Sequence, residues 1–359
     1  MFDLQQLIRP NIRQLTPYSS ARDEFSGEAQ IFLDANENAW GSPLPKSYNR
    51  YPDPLQHRLK SRIATLKQIP ETQIFLGNGS DECIDLTLRA FCEPRQDEVI
   101  ICPPTYGMYE VCAHIQDAIV KRVPLTADFQ LDTEGILRAV SPQTKLIILC
   151  SPNNPTGNCF RRKDVERLLE AFSGIVAIDE AYIDFAGQPG FLHRLQEFPN
   201  LIVWQTFSKA WGLAGLRVGM AFASAAIIEI LNKIKYPYNI SQLTQETLLQ
   251  ALDRADQVEQ WKTYIIQQRQ ALSQALQQMD MVQKVYPSEA NFLLVKIRQA
   301  RKVYTYLLQQ GIVVRDRSQV ALCEDCLRIT VGRPEENEKL LAGLQAYQAQ
   351  QTASGPLSH

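Results

Sequence analysis

This chain of 359 residues is poor in histidine, has no long apolar run and carries no excess of basic charge. Its four histidines, His57, His114, His193 and His359, are far apart, and no H-E-x-x-H or G-x-S-x-G string occurs. The usual signatures of zinc proteases and serine hydrolases are therefore missing. No stretch approaches the roughly 20 apolar residues needed to cross a bilayer. The opening MFDLQQLIRP lacks the basic and apolar regions of a signal peptide, so a cytoplasmic protein is expected. Lysine and arginine number 37 against 39 aspartates and glutamates, which gives no reason to expect nucleic acid or an anionic membrane as the main partner. Repeats and low-complexity linkers are absent as well.

The eight cysteines are scattered, with Cys102, Cys112 and Cys150 in apolar contexts where thiols pack as small hydrophobes. Cys323 and Cys326 form a C-x-x-C. No second pair or nearby histidine completes a zinc site, so packing is expected there rather than redox or metal chemistry. The metal expectation is none.

What is present is an ordinary globular composition, 45% hydrophobic and 21% charged, long enough for about two domains. From about residue 55 to 235, short β-branched runs alternate with amphipathic segments. Strands are predicted at Glu98–Cys102, Ala118–Val123, Lys145–Cys150, Ile175–Asp179, Leu201–Thr206 and Leu216–Phe222, with helices such as Asp81–Cys92 and Arg161–Phe172 between them. That alternation predicts an α/β fold with a mostly parallel sheet covered on both faces. Runs such as KLIILC and GIVAID lack strict alternation and suit strands buried on both sides. Residues 241–278, free of Gly and Pro, predict one long helix. A smaller α+β domain follows, with strands at Phe292–Ile297, near Ile312–Arg315 and at Leu327–Val331, a helix at Arg301–Gln310 and a last helix from Pro334. The polar tail 351–359 is expected to be disordered.

Ligands of an open α/β sheet bind beyond the carboxyl ends of its strands, and the polar clusters lie there. Ser151–Gly157 (SPNNPTG) follows one predicted strand, Asp179–Tyr182 (DEAY) ends another, and Thr206–Gly219 (TFSKAWGLAGLRVG) follows a third. Earlier, Leu76–Glu82 (LGNGSDE) runs into a helix. Lys209, in a Ser/Gly-rich loop after an apolar strand, is placed for the partial desolvation that makes an amine a nucleophile toward an aldehyde. Asp179 is placed to pair with a protonated heterocyclic nitrogen. The Gly77–Asp81 loop feeding a helix is an anion site by geometry, and Ser80, Ser208 and Arg217 would add donors to a phosphate. Singly, a strand-end Asp is usually a cap, a Ser-Lys usually solvated and a Gly-Asn-Gly usually a turn. Their joint order at successive strand ends is what points to a site.

SPNNPTG, DEAYIDF and TFSKAWGLAGLRVG in that order resemble the fold-type I pyridoxal-phosphate (PLP) aminotransferases. LTPYSSAR (15–22), LDANENAWG (33–41), RYPDP (50–54), LGNGSDECIDL (76–86), PPTYGMY (103–109), VRD (314–316) and LRITVGRPEEN (327–337) are similar to the histidinol-phosphate aminotransferase family within it. The resemblance covers about residues 11 to 348. It implies a seven-stranded PLP-binding domain over 31–245, a small domain over 246–350 and an N-terminal segment, 1–30, packing with the small domain. It also implies a homodimer with shared active sites. Lys209 would hold PLP as a Schiff base and move the substrate proton, Asp179 would pair with the pyridine nitrogen, and Asn154 and Tyr182 would bond the phenolic oxygen. Tyr106 would stack on the ring. Gly79, Ser80, Asp81, Ser208 and Arg217 would hold the phosphate, with Tyr51 reaching it from the partner subunit. Tyr18, Asn36, Arg315 and Arg328 would bind substrate. The implied reaction exchanges the amino group between L-histidinol phosphate and 2-oxoglutarate, in histidine biosynthesis. Threonine-phosphate decarboxylation and aromatic amino-acid transamination are alternatives on the same cofactor, and a non-enzymatic binding protein is a remote one. Two departures stand out: Ala39-Trp40 replaces the family's Pro and aromatic, and Arg317 competes with Arg315 for the substrate-facing position.

Overall fold

A computed structural model of the chain describes residues 2–18 and 31–353. Its larger sheet contains β1 (Ile74–Asn78), β2 (Glu98–Ile101), β3 (Ile119–Arg122), β4 (Thr144–Cys150), β5 (Ile175–Asp179), β6 (Leu201–Thr206) and β7 (Val218–Phe222). The spatial order is β1-β7-β6-β5-β4-β2-β3. β7 runs antiparallel to both β1 and β6, and the other pairs are parallel. The α/β class and the mostly parallel seven-stranded sheet are as expected.

Side-chain alternation explains why this sheet is buried on both sides. Along β4, Ile147 and Leu149 enter one core with Val176, Ile178 and Val203. Leu146, Ile148 and Cys150 enter the opposite core with Ile175, Ala177 and Trp204. An apolar side chain at nearly every position is what a strand between two helical layers requires. The helices named here are α1 (Leu4–Leu7), α2 (Pro10–Gln14), α3 (His57–Lys67), α4 (Ser80–Phe91), α5 (Met108–Ile115), α6 (Thr133–Ala139), α7 (Arg162–Ala171) and α8 (Ala225–Ile234), followed by α9 (Gln242–Leu252), α10 (Ala255–Gln277), α11 (Ala300–Gln309) and α12 (Pro334–Ala353).

The second sheet is antiparallel, in the order β10-β11-β9-β8, from β8 (Val282–Val285), β9 (Phe292–Ile297), β10 (Arg315–Asp316) and β11 (Cys326–Thr330). α10, α11 and α12 cover it through Leu272, Leu276, Val303, Leu307, Leu340 and Leu344.

Three expectations are corrected. The helix predicted over 241–278 is two helices, broken at Asp253 and Arg254. Asp253 pairs with Arg62 of α3, and Leu252 and Val258, on either side of the break, enter the same core. The break coincides with tertiary contacts that no local pattern records. The N-terminal segment, as far as residues 2–14 describe it, packs on the large domain. Ile8 is buried with Phe91 and Ile227, and the Arg9 guanidinium donates to Glu93 at 3.0 Å. Its remainder, residues 19–30, lies outside the described residues. Residues 351–353, expected in a disordered tail, are the end of α12, which continues to Ala353; residues 354–359 lie outside the described residues. β1 and β8 were not predicted.

One close approach ties the sheet to the anion-binding turn. A Cβ at Gly219 of β7 would stand 2.1 Å from the Ser80 backbone nitrogen and 2.4 Å from the Gly79 carbonyl carbon. Only glycine allows β7 to pass directly beneath the first turn of α4. Gly219→Ala is expected to destabilise the fold by about 1–3 kcal/mol, the usual cost of overpacking, and to push the Ser80 N–H out of line. Denaturant melts check this, and an unchanged midpoint would contradict it.

Candidate active site

Four strand ends meet at one edge of the large sheet, and each delivers a polar group. β4 leads into Ser151–Gly157. There the Asn153 amide donates to the Pro104 carbonyl at 2.9 Å and to Thr156 Oγ1 at 2.7 Å, while Thr105 Oγ1 donates to Asn153 Oδ1 at 3.0 Å. This buried amide clips the loop bearing Tyr106 to the loop bearing Asn154. β5 ends on Asp179, which is 3% exposed. β6 ends on Thr206, whose hydroxyl oxygen accepts the Ser208 N–H at 3.1 Å and shapes the turn to Lys209. β7 is antiparallel, so its first residue sits at the same edge, and Arg217 precedes it.

Arg217 adopts a left-handed backbone conformation (φ +53°) uncommon for a side-chain-bearing residue. Its guanidinium lies over Gly79, where a Cβ would come 2.7 Å from Nη2, and donates to Asp81 Oδ2 at 3.3 Å. Gly79 itself (φ +80°) caps the 12-residue α4. Its lack of a side chain leaves the helix N-terminus open beside Arg217, Ser80 and Ser208. Free N–H groups, the helix dipole and a cation converge there, which is the geometry of a phosphate site.

A cavity of about 360 Å³ joins these ends, lined by Ser80, Asp81, Tyr106, Asn154, Asp179, Tyr182, Ser208, Lys209, Arg217, Arg315 and Arg328. Sequence reasoning placed every one of these residues in the site. Thr206, Cys150, Ala181 and Arg317 also line it and were not among the assigned residues. Arg315 and Arg317 both line the cavity. Three assigned residues lie elsewhere. Asn36 and Tyr51 line a separate cavity of about 480 Å³, where Tyr51 stacks on Tyr238 at 4.4 Å and 16°. Tyr18 is 73% exposed and lines neither.

The electrostatics of the cavity follow from burial. Lys209 sits with its Nζ 5.4 Å from the centre of the Tyr182 ring. Burial, and next the nearby Arg328 charge, hold its amine below the ordinary lysine range, which raises the fraction of free nucleophile. Asp179 is pushed above the usual carboxylate range by burial, while hydrogen bonds from Tyr109 Oη (2.6 Å) and the Ala181 N–H (2.9 Å) pull the other way. Tyr109 is fully buried and meets Tyr106 edge-on at 5.5 Å. It escaped sequence reasoning, although it stands three residues after Tyr106 in PPTYGMY, in the first turn of α5. Burial also raises the phenols, that of Tyr106 to about 12 and that of Tyr182 further, so both are hydrogen-bond donors at neutral pH.

The small domain supplies the far wall. Arg315 and Arg328 are direct cross-strand partners in the β10–β11 pair, an arrangement of like charges that costs stability unless an anion offsets it. Arg328 Nη1 donates to Asn154 Oδ1 at 2.5 Å and its guanidinium lies over Phe292. Because Asn154 uses its oxygen on Arg328, its NH2 group is left to face the cavity. Cys323 and Cys326 are fully buried free thiols, raised to about 12 and about 11 by burial, and no metal-binding cluster exists among the described residues. Both pack into the larger hydrophobic core.

The profile of class I and II aminotransferases matches residues 35–344, and the chain belongs to that family. Histidinol-phosphate aminotransferases from Parabacteroides distasonis and Cytophaga hutchinsonii are 53% and 52% identical to it, over 96% of this chain and 99% of each of theirs. Within the class, the chain is therefore a member of the histidinol-phosphate aminotransferase family. A solved histidinol-phosphate aminotransferase from Sinorhizobium meliloti, in complex with pyridoxal-5'-phosphate, superposes with a TM-score of 0.78 at 26% identity, covering 88% of this chain and 90% of that one. Among the described residues no helix is long and apolar enough to cross a membrane.

Proposed function

We propose that this chain is a PLP-dependent transaminase that exchanges the amino group of L-histidinol phosphate with 2-oxoglutarate, yielding imidazole-acetol phosphate and L-glutamate. The observation that carries this reading is the cavity itself, which encloses an amine (Lys209), a buried carboxyl (Asp179) and arginines (Arg315, Arg328) within reach of one small ligand. The residues fit the cofactor. Asp179 is a buried carboxyl with two neutral donors and, among the described residues, no cation in hydrogen-bond contact, which a protonated ring nitrogen would complete. The open end of α4, with Ser80, Ser208 and Arg217, suits a phosphate, and Tyr106 offers a ring face. PLP supplies an electron sink for the carbanion formed at the substrate's α-carbon. Asn154 and Tyr182 present donors to a phenolic oxygen, and Lys209 is placed to take the α-proton and return it.

Both substrates carry an anion, a phosphate monoester in one and a distal carboxylate in the other. A planar guanidinium binds either bidentately, which lets one pocket serve two half-reactions. Arg328→Lys is expected to lower kcat/KM of both half-reactions by about 10- to 100-fold, the worth of a charge-assisted hydrogen bond. Rapid-mixing measurement of each half-reaction checks it, and a loss confined to one would contradict the shared role.

The enzyme works as a cytoplasmic homodimer in this proposal. Eight unpaired cysteines suit a reducing compartment. Tyr51 lies apart from Lys209's cavity, and the segment around it exposes Ile31, Leu33, Trp40 and Leu44, apolar surface of the kind a partner covers. Tyr51 then serves the partner's phosphate. A hybrid of one Tyr51→Phe and one Lys209→Ala subunit should contain one intact site and outperform both mutant homodimers. A hybrid no better than its Tyr51→Phe subunit alone would return Tyr51 to its own subunit.

The reaction is tested by offering histidinol phosphate, phenylalanine and threonine phosphate with 2-oxoglutarate and following glutamate and carbon dioxide together. Glutamate formed fastest from histidinol phosphate is expected. Carbon dioxide from threonine phosphate, or a preference for phenylalanine, would overturn the assignment.

A further inference from the structure

Arg315 and Arg317 are two residues apart, and the Arg317 N–H extends the β10–β11 ladder by donating to the Cys326 carbonyl at 2.9 Å. Period-two alternation puts both arginines on one face of that ribbon. Arg328, directly opposite Arg315, shares it. The intervening Asp316 bonds instead to the Ser318 N–H at 2.9 Å. All three arginines line the cavity. None is in a salt bridge among the described residues, and Arg317 Nε is buried with no hydrogen-bond partner. The two acids of the cavity are committed elsewhere, Asp81 to Arg217 and Asp179 to Tyr109 and Ala181. A dicarboxylate's distal group brings one negative charge to this wall. A phosphate monoester brings close to two at neutral pH, because its second pKa is about 6.

We infer that Arg317 is the charge-reading residue of the substrate site, its guanidinium engaging the second negative charge of a phosphate monoester that a carboxylate does not carry. The inference rests on the proposed reaction and narrows it: Arg328 serves both anions, and Arg317 discriminates between them. Burial first, and then the charges of Arg328 and Arg315, hold the Arg317 guanidinium below the ordinary arginine range, while Cys323 and Tyr182 act in the opposite direction. A dianion would relieve that crowding, and a monoanion would relieve it less.

The test compares two ligands of one shape and different charge, methyl phosphate and methyl sulfate, as competitive inhibitors of the wild-type holoenzyme at pH 7.5. Methyl phosphate is expected to bind about 10-fold tighter or more, and Arg317→Gln should collapse that ratio to within about threefold, the scale of one charge-assisted hydrogen bond. In separate half-reactions, Arg317→Gln should lower kcat/KM for histidinol phosphate by about 10- to 100-fold and for glutamate by less than about threefold, with Arg317→Lys recovering part of the loss. Equal losses with both substrates, or an unchanged inhibitor ratio, would overturn the role of Arg317. If Arg317→Gln does not fold, the wild-type ratio still decides, since a value near unity is incompatible with a charge-reading pocket. Failure of the wild type to accept histidinol phosphate at all would instead overturn the reaction and leave the inhibitor ratio standing as its own result.

Discussion

Replacing Lys209 by alanine is expected to cut transamination by about 10⁴-fold or more, the upper range for removing a positioned acid–base group, with loss of covalent attachment added. The protein should still fold. Lys209 sits in a turn whose backbone is held by other contacts, Leu213 N–H to the Phe207 carbonyl at 3.0 Å and Phe207 N–H to the Val218 carbonyl at 3.1 Å. The residues proposed to hold the phosphate and ring, Ser80, Ser208, Arg217 and Tyr106, are untouched, so the variant should retain PLP without a covalent bond. Borohydride reduction of the wild type followed by peptide mapping should place the pyridoxyl group on Lys209. Lys233 and Lys235 are the nearest alternatives in sequence. Both amines are engaged elsewhere, Lys233 with the Arg13 carbonyl at 3.0 Å and Lys235 with the Pro54 carbonyl at 2.8 Å. A label on either would contradict the assignment.

Asp179→Asn is expected to lower turnover by about 10²- to 10³-fold, the scale of one preorganised electrostatic contact, while leaving the site's shape intact. An asparagine can accept the Ala181 N–H with its oxygen and donate its NH2 to the Tyr109 hydroxyl, which reverses its own donor role. What disappears is the carboxyl group proposed to keep a ring nitrogen protonated. Tyr109→Phe removes the 2.6 Å bond to Asp179 and should have a smaller effect in the same direction. Near-wild-type turnover of Asp179→Asn would mean that another carboxyl carries the role.

These predictions draw on residues that differ in how legible they were from sequence. β5, β6 and β9 were predicted with the bounds observed, and β4 within one residue. The reason is local: apolar runs bounded by polar loops leave little choice of where a doubly buried strand begins and ends. The polar loops at those ends follow the same logic, and eleven assigned residues share one cavity. Tyr109 and Arg317 were harder. Their importance comes from what they face across space, Asp179 in one case and two arginines in the other; the spacing from Tyr106 and from Arg315 hinted at each without fixing its role. The break at Asp253 is of the same kind, because Arg62, with which it pairs, is far away in sequence. Asn36 and Tyr51 fall outside Lys209's cavity, and for Tyr51 the proposed shared site places its action in the partner subunit.

The most direct measurement of the whole account is the fate of nitrogen in a half-reaction. PLP-loaded enzyme mixed with nitrogen-15 histidinol phosphate, without keto acid, should release imidazole-acetol phosphate and retain close to one equivalent of label per subunit, as a ping-pong exchange requires. Adding 2-oxoglutarate should then move that label into glutamate. Label that stays in the donor while the enzyme turns over phenylalanine, or cleaves carbon dioxide from threonine phosphate, would contradict it.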